Sequence, residues 1–409
     1  MSIGQTGRWP AYYTVLLLLL AAVFLSYVDR TNISVGAIAM QAQLGWTETQ
    51  KGLVLSSFFI GYLLLMLASS ALANRFGGKI VLGIAVLWWS LFTALTPPAA
   101  LASLSTLMLA RIGLGLGEAA VFPACINLIG RWVPPLRRSS AVALVTSAAP
   151  LSTVIALPLT GFLIRNHGWP APFYLFGAIG VVWVLFWFML VKGGAGAAPD
   201  ASAARSAIPW KRILTSAPVW AIVITNSCFN WSFYLLLAWL PSYLKHTFGV
   251  SLVNAGLLSA APWLASFLVA NAAGAMADRM LRAGRSATFV RKLMQTLGLT
   301  LGGVLLSLLP SAASITVAVI LTTCAAGTFA LCFAGYAPNG FDLSPRYADI
   351  IWGLSNTVGT LPGIFGVYLT GWLVDHTGTF AAPFYVTTGV SFLGAVVFLV
   401  FASGRRQID

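Results

Sequence analysis

Leu159-Thr160-Gly161-Phe162-Leu163 returns 210 positions later as Leu369-Thr370-Gly371-Trp372-Leu373. The same shift carries Pro135 onto Pro345 and Gly168 onto Gly378 without a gap. One residue further on in register, Pro172-Phe173-Tyr174 recurs as Pro383-Phe384-Tyr385, and Asn74-Arg75 has a counterpart in Asp278-Arg279. Leucine- and glycine-rich sequence matches itself easily by chance, but a fixed register held by prolines and charged residues marks a true repeat.

Around these copies the chain is a series of apolar runs. About 20 apolar residues cross a bilayer as a helix, and twelve stretches qualify, at roughly 12–40, 50–73, 80–97, 104–131, 139–164, 171–191, 215–244, 252–277, 290–309, 314–341, 348–374 and 382–403. Their length and continuity specify helices and not barrel strands. The whole chain of 409 residues is 59% hydrophobic and 8% charged, with a mean hydropathy of +0.88. A soluble domain could not bury that much apolar surface. The longest polar break, Lys192 to Ser216, holds Gly193-Gly194, Pro199, Pro209 and a basic cluster and reads as a flexible linker. The expected fold is an all-α membrane protein of twelve transmembrane helices in two pseudo-symmetric six-helix bundles, 1–191 and 215–409, joined by the linker 192–214. A parallel repeat of this kind implies a cavity between the halves and rocking-type alternating access.

In a soluble protein the net charge of +14 would suggest nucleic acid. Its placement excludes that partner here. Of 23 Lys and Arg, only Lys51, Arg165 and Lys245 fall in loops on one side; Arg30 and Arg111 lie within spans, and the rest lie on the other side. This asymmetry predicts a multi-pass protein with both termini in the cytoplasm. No Asn-x-Ser/Thr sequon falls in an outside loop, which favours a bacterial inner (plasma) membrane. Arg282, Arg285, Arg291 and Lys292 read as a solvated inside face near anionic lipid. Cys125, Cys228, Cys324 and Cys332 lie in spans without metal-ligand spacing and read as small core filler. All three histidines, His167, His246 and His376, fall in outside loops, which leaves carboxylates to carry any proton. No cofactor or metal is expected, and the chain is expected to act as a monomer.

Four charges sit at membrane depth: Asp29 and Arg30 in the first span, Arg111 and Glu118 in the fourth. A charge at bilayer centre costs roughly 2.5 kcal/mol or more, so such residues normally face a cavity. Arg111 and Glu118 are two helical turns apart and share a face, about 10 Å apart along the axis. The side chains of Asp29 and Arg30 diverge by roughly 100° and need not pair. One can face the cavity while the other faces a neighbouring helix. A guanidinium stays charged and grips carboxylate or phosphate in a forked geometry, so Arg30 and Arg111 are candidate anion-binding residues. Asp29 and Glu118 are candidate proton carriers. The bland alternative is a set of structural ion pairs locking helices together.

Gly113, Gly115 and Gly117 precede Glu118, but no strand precedes them, so close helix packing and not a nucleotide loop is expected. Pro123 is expected to bend the fourth span. Tyr62, Tyr234, Ser355 and Asn356 are candidate polar contacts to a substrate, with Asn230, Trp231 and Tyr27 behind them.

The chain resembles the major facilitator superfamily. More narrowly it is similar to the anion:cation symporters, which include sialin, vesicular glutamate transporters, plastid phosphate transporters and bacterial sugar-acid transporters. The resemblance rests on Asp29-Arg30-Thr31-Asn32-Ile33-Ser34-Val35, on Ser57-Phe58-Phe59-Ile60-Gly61-Tyr62 and on the run from Arg111 to Pro123. In the second half Asn230-Trp231-Ser232-Phe233-Tyr234, Asp342 through Ala348 and Gly353-Leu354-Ser355-Asn356 carry it. It implies a secondary transporter coupling an organic anion to protons, with Asp29 and Glu118 in coupling, Arg30 on the anion, and Tyr62 and Asn356 lining the site. It also implies gating loops at Asn74-Arg75 and Asp278-Arg279, where asparagine replaces the usual acid of the first copy. Vesicular glutamate transporters carry arginine where this chain has Phe229, and histidine where it has Leu55, which disfavours glutamate. Sugar-acid members place an amide near Ala149. A monocarboxylate-bearing organic anion is therefore the leading expectation and inorganic phosphate the second, with sodium coupling or exchange as rival modes. An intramembrane enzyme would need a nucleophile–base pair or metal ligands within the spans, and the sequence has none.

Overall fold

The computed structural model describes residues 11–134, 137–191 and 209–408. Its described residues form α-helices, short 3-10 turns and no strand. The first half comprises α1 (Ala11–Leu44), α2 (Glu48–Phe76), α3 (Gly78–Ala102), the pair α4 (Leu104–Glu118) and α5 (Val121–Trp132), then α6 (Arg138–His167) and α7 (Pro170–Leu190). After α8 (Trp210–Thr215), the second half comprises α9 (Ala217–Phe248), α10 (Leu252–Leu258) with α11 (Ala261–Arg282), and α12 (Ala287–Ser307). It closes with α13 (Ile315–Phe329) and α14 (Cys332–Leu343), α15 (Ala348–Thr377) and α16 (Ala381–Phe401). Among the described residues, twelve stretches are long and apolar enough to cross a membrane. Most of the expected linker lies outside the described residues, and its last residues form α8 and not coil.

Three spans are broken in the middle. The fourth breaks at Ala119-Ala120, between α4 and α5, and the tenth at Ala330-Leu331, between α13 and α14. The two breaks are one repeat length apart. In the fourth span the cause is Pro123, which has no N–H to offer the carbonyl of Ala119. The expected bend thus falls one turn earlier, immediately after Glu118, as a two-residue break in the helical bonding that keeps helical backbone angles. Pro262 acts in the same way on the eighth span, which breaks at Ser259-Ala260. Gly168 and Gly378, paired by the repeat, both end a helix with positive φ, at 81° and 69°, a conformation that a side chain would strain.

The halves meet along two seams, α2 on α15 and α6 on α10 and α11. We call the face carrying most of the arginines the basic face and the opposite one the far face. At the far end of the first seam the backbones touch: a Cβ on Gly371 would lie 2.3 Å from the carbonyl oxygen of Glu48. Contact continues through Gly363 against Phe59 to Thr360, whose hydroxyl approaches the Met66 sulfur at 3.9 Å. On the second seam a Cβ on Gly256 would lie 2.5 Å from the carbonyl oxygen of Leu157. Both seams are therefore closed at the far face. Small residues make such approaches possible in a membrane protein, where dispersion and not water exclusion drives packing.

Two cations depart from the loop assignment. Lys51 belongs to the first turn of α2 and is 2% exposed, held by Glu48 at 2.5 Å. Arg291 is buried too, and so is no part of a solvated face; its Nε donates to Asp342 at 2.8 Å and its Nη1 to the carbonyl of Ala334. In each case an acid within reach offsets the desolvation that made a loop position the default. Cys125, Cys228 and Cys332 are buried, whereas Cys324 is exposed on the surface of α13. The three histidines sit in the last turns of α6, α9 and α15 and not in loops.

Candidate functional site

Arg30 and Glu118 meet between α1 and α4. The Arg30 Nε donates to Glu118 Oε2 at 2.6 Å, and Ser26, one turn earlier on α1, donates its hydroxyl to the same oxygen at 2.8 Å. The Glu118 side chain is fully buried and that of Arg30 is 7% exposed. Arg30 is also ringed by aromatic faces: its guanidinium lies 4.6 Å from the centre of Tyr62, 4.9 Å from Tyr27 and 5.0 Å from Phe58. Aromatic quadrupoles stabilise a cation without neutralising it, so of these contacts only Glu118 engages the Arg30 charge with a counter-charge.

Arg111, on the same face of α4 as Glu118, does not pair with it by hydrogen bond. Its guanidinium lies 5.5 Å from the Phe58 ring, so that one phenyl ring contacts both guanidinium groups. α2 and α4 can bring Phe58 this close because glycines line the crossing. A Cβ on Gly115 would stand 2.1 Å from the Phe58 carbonyl oxygen, and one on Gly61 1.9 Å from that of Ile112. The alternating glycines before Glu118 are thus packing positions. Asp29 is 2% exposed and turns away from Arg30, toward Thr93 of α3.

Several polar atoms of this group have no hydrogen-bond partner: Arg30 Nη2, Arg111 Nε and Nη1, Glu118 Oε1 and Asp29 Oδ1. Buried, unsatisfied guanidinium N–H groups are costly. Here they border a small cavity between the halves, with about 20 Å³ open to the centre of a water-sized sphere, lined by Arg30, Arg111, Ser34, Leu55, Phe58 and Tyr234 among others. Donors that lack a partner and face a cavity are what an anionic ligand would satisfy.

Of the expected contacts, Tyr234 lines the cavity, while Tyr27 and Tyr62 flank the Arg30 guanidinium. Ser355 is fully buried and accepts a bond from Asn226 Nδ2 at 3.0 Å, and Asn230 donates to Asn226 Oδ1 at 3.3 Å. The first of these joins α9 to α15 within the second half, and the second lies within α9. Asn356 is half-buried on α15 and does not line the cavity. Trp231 packs against Gly366. Phe229 packs in an aromatic cluster with Phe333 and Tyr336, and Leu55 lies in the cavity wall. At the basic face Asn74 accepts from Asn127 of α5 at 3.0 Å, and Arg75 lies over Phe76. Asp278 and Arg279 are exposed at the end of α11. Ser26 and Phe58 were not singled out from sequence. Ser26 could have been found, being four residues before Arg30 and so on its helical face. Asn226 gave no such signal.

Residues 19–367 match the Major Facilitator Superfamily. The chain belongs to that superfamily. It is 38% identical over 416 residues to sodium-dependent phosphate transport protein 1, chloroplastic, of Arabidopsis thaliana, covering 98% of this chain and 81% of that protein. It is 36% identical over 416 residues to the chloroplastic ascorbate transporter of the same plant, covering 98% and 77%. These relatives are in keeping with the anion:cation symporter branch that the sequence motifs resemble. Among solved superfamily-like folds, a bacterial homolog to the human lysosomal transporter Spinster, in an inward-facing and unoccupied conformation, matches with a TM-score of 0.81 at 19% identity. That match covers 98% of this chain and all of the other. A D-xylose-proton symporter matches at 0.76 and 16% identity, covering 97% of this chain and all of the symporter. At such identities the likeness shows the fold alone. The chain is a multi-pass membrane transporter of the Major Facilitator Superfamily and not an enzyme.

Proposed function

We propose that this transporter carries an organic anion, a carboxylate such as a sugar acid or another acidic metabolite, together with protons by alternating access. The observation that carries the reading is the Arg30–Glu118 pair beside a cavity between the halves, with guanidinium donors of Arg30 and Arg111 unmatched. A carboxylate cargo competes with Glu118 for Arg30. When it wins, Glu118 loses its counter-charge inside a low-dielectric site and takes up a proton, because a buried carboxylate without a cationic partner favours its neutral form. Cargo and proton then travel together. Asp29, turned from Arg30 toward Thr93 of α3, is the second proton carrier. Tyr27, Tyr62 and Tyr234 shape the cavity around the cargo, and the loops at Asn74-Arg75 and Asp278-Arg279 serve the gate at the basic face. By the positive-inside asymmetry that face is cytoplasmic, and the sequon-free far loops favour a bacterial inner membrane.

A second reading, inorganic phosphate with sodium as the coupling ion, is favoured by the relative named a sodium-dependent phosphate transporter. Reconstituted protein separates the two. Uptake of radiolabelled ascorbate, gluconate and phosphate is measured under an inward pH gradient without sodium, then under a sodium gradient at equal pH. Uphill carboxylate uptake under the pH gradient alone supports the first reading. Phosphate uptake that requires sodium replaces it with the second.

A further inference from the structure

The first four N–H groups of any helix lack partners within it. In α2 two of the four, those of Thr47 and Gln50, are satisfied locally: Thr47 Oγ1 accepts from the Gln50 amide at 3.1 Å. Gln50 returns the contact by accepting the Thr47 amide at 3.0 Å, a complete capping box. The other two are satisfied by the opposite half of the molecule. Asp375, in the last turn of α15, accepts from the Glu48 amide at 2.9 Å and the Thr49 amide at 2.6 Å. The Thr49 hydroxyl donates to the same carboxylate. A carboxylate at a helix N-terminus also meets the positive end of the helix dipole.

A second cross-half contact lies beside it. Lys51, between Glu48 and Gln41, sits 4.9 Å above the ring of Trp239 on α9. One turn before Asp375, the contact of Gly371 with the Glu48 carbonyl leaves no room for the helices to slide. The Asp375 bonds therefore exist only while α2 and α15 are together at the far face. Asp375 is exposed, so water can replace the lost bonds when the helices part, and the contact is reversible.

We infer that Asp375 is a latch of the transport cycle: it caps α2 from the opposite half, holds the far face shut, and must let go each time that face opens. The inference rests on alternating access for its effect on transport, but its conformational readout needs no substrate. Spin labels on cysteines introduced at Asn166 and Thr247, exposed far-face positions beside the other seam, report opening without touching the latch. The background is Cys324→Ser, which removes the exposed native thiol. Asp375→Ala is expected to raise the far-open population roughly tenfold, equivalent to about 1.4 kcal/mol. Asp375→Asn, which keeps an oxygen acceptor but no charge, is expected to give a smaller rise. A melting curve for each variant confirms folding, and should Asp375→Ala melt early, the comparison rests on Asp375→Asn. Distance distributions identical to wild type in the folded variants overturn the latch. If the distances shift while wild type takes up neither ascorbate, gluconate nor phosphate, the latch stands and the anion-transport reading falls.

Discussion

Replacing Glu118 by glutamine removes a charge while leaving the shape of the site. The glutamine carbonyl oxygen can still accept from Ser26 and from Arg30 Nε, so the hydrogen bonds at 2.8 and 2.6 Å have a near-isosteric replacement. What disappears is the anion that competes with cargo for Arg30. A hydrogen bond to a charged group is worth about 1.5–3 kcal/mol, and about 1.4 kcal/mol is tenfold in affinity. The glutamine oxygen keeps a neutral bond worth about 0.5–1.5 kcal/mol, so Glu118→Gln is expected to bind a carboxylate roughly tenfold more tightly than wild type at a pH where Glu118 is ionised. In wild type, affinity should fall as pH rises, since deprotonation of Glu118 restores the competitor. In the variant that dependence should flatten. Titration calorimetry with ascorbate or gluconate across pH 5–8 measures both effects. In proteoliposomes the variant should exchange internal for external anion but fail to accumulate it under a pH gradient. Uphill uptake at the wild-type level, or an affinity as pH-dependent as in wild type, refutes the role given to Glu118.

Arg30→Ala should lower anion affinity at least a hundredfold, as it removes the guanidinium that faces both Glu118 and the cavity; a dissociation constant near that of wild type would show that the anion binds elsewhere. Gly115→Ala places a methyl 2.1 Å from the Phe58 carbonyl oxygen, so it should either prevent stable folding or lower the melting temperature by several degrees, consistent with about 1–3 kcal/mol for overpacking. An unchanged melting curve would show that α2 and α4 can separate freely. Asn74→Asp restores an acid at the basic-face gate beside Asn127, and an altered transport rate is expected; identical rates in counterflow would mean that the position is silent.

The twelve spans could be read from sequence because a bilayer fixes the length and apolarity of a helix so tightly, and the repeat supplied the division into halves. The breaks were harder to see. Pro123 announced a disturbance, but it acts on a carbonyl four residues earlier, so the interruption falls against Glu118. The charged residues were identifiable because charge at membrane depth is rare, whereas their pairing was not. Neighbours such as Asp29 and Arg30 point in different directions, and which one meets Glu118 is decided by helix packing. That packing turned Arg30 toward α4 and left Arg111, two turns from Glu118, above Phe58 instead of beside the acid. Lys51 and Arg291 escaped a composition-based reading for the opposite reason: hydrophilic residues near helix ends look solvated until Glu48 and Asp342 come within reach.

The missing Pro123 N–H leaves the fourth span with one weakened turn at Ala119-Ala120, whose backbone stays in the right-handed helical region. α4 carries Arg111 and Glu118, while α5 continues to the basic face and offers Asn127 to Asn74 there. Strain produced when the inner ends rearrange can dissipate at Ala119-Ala120 before it disturbs the carboxylate.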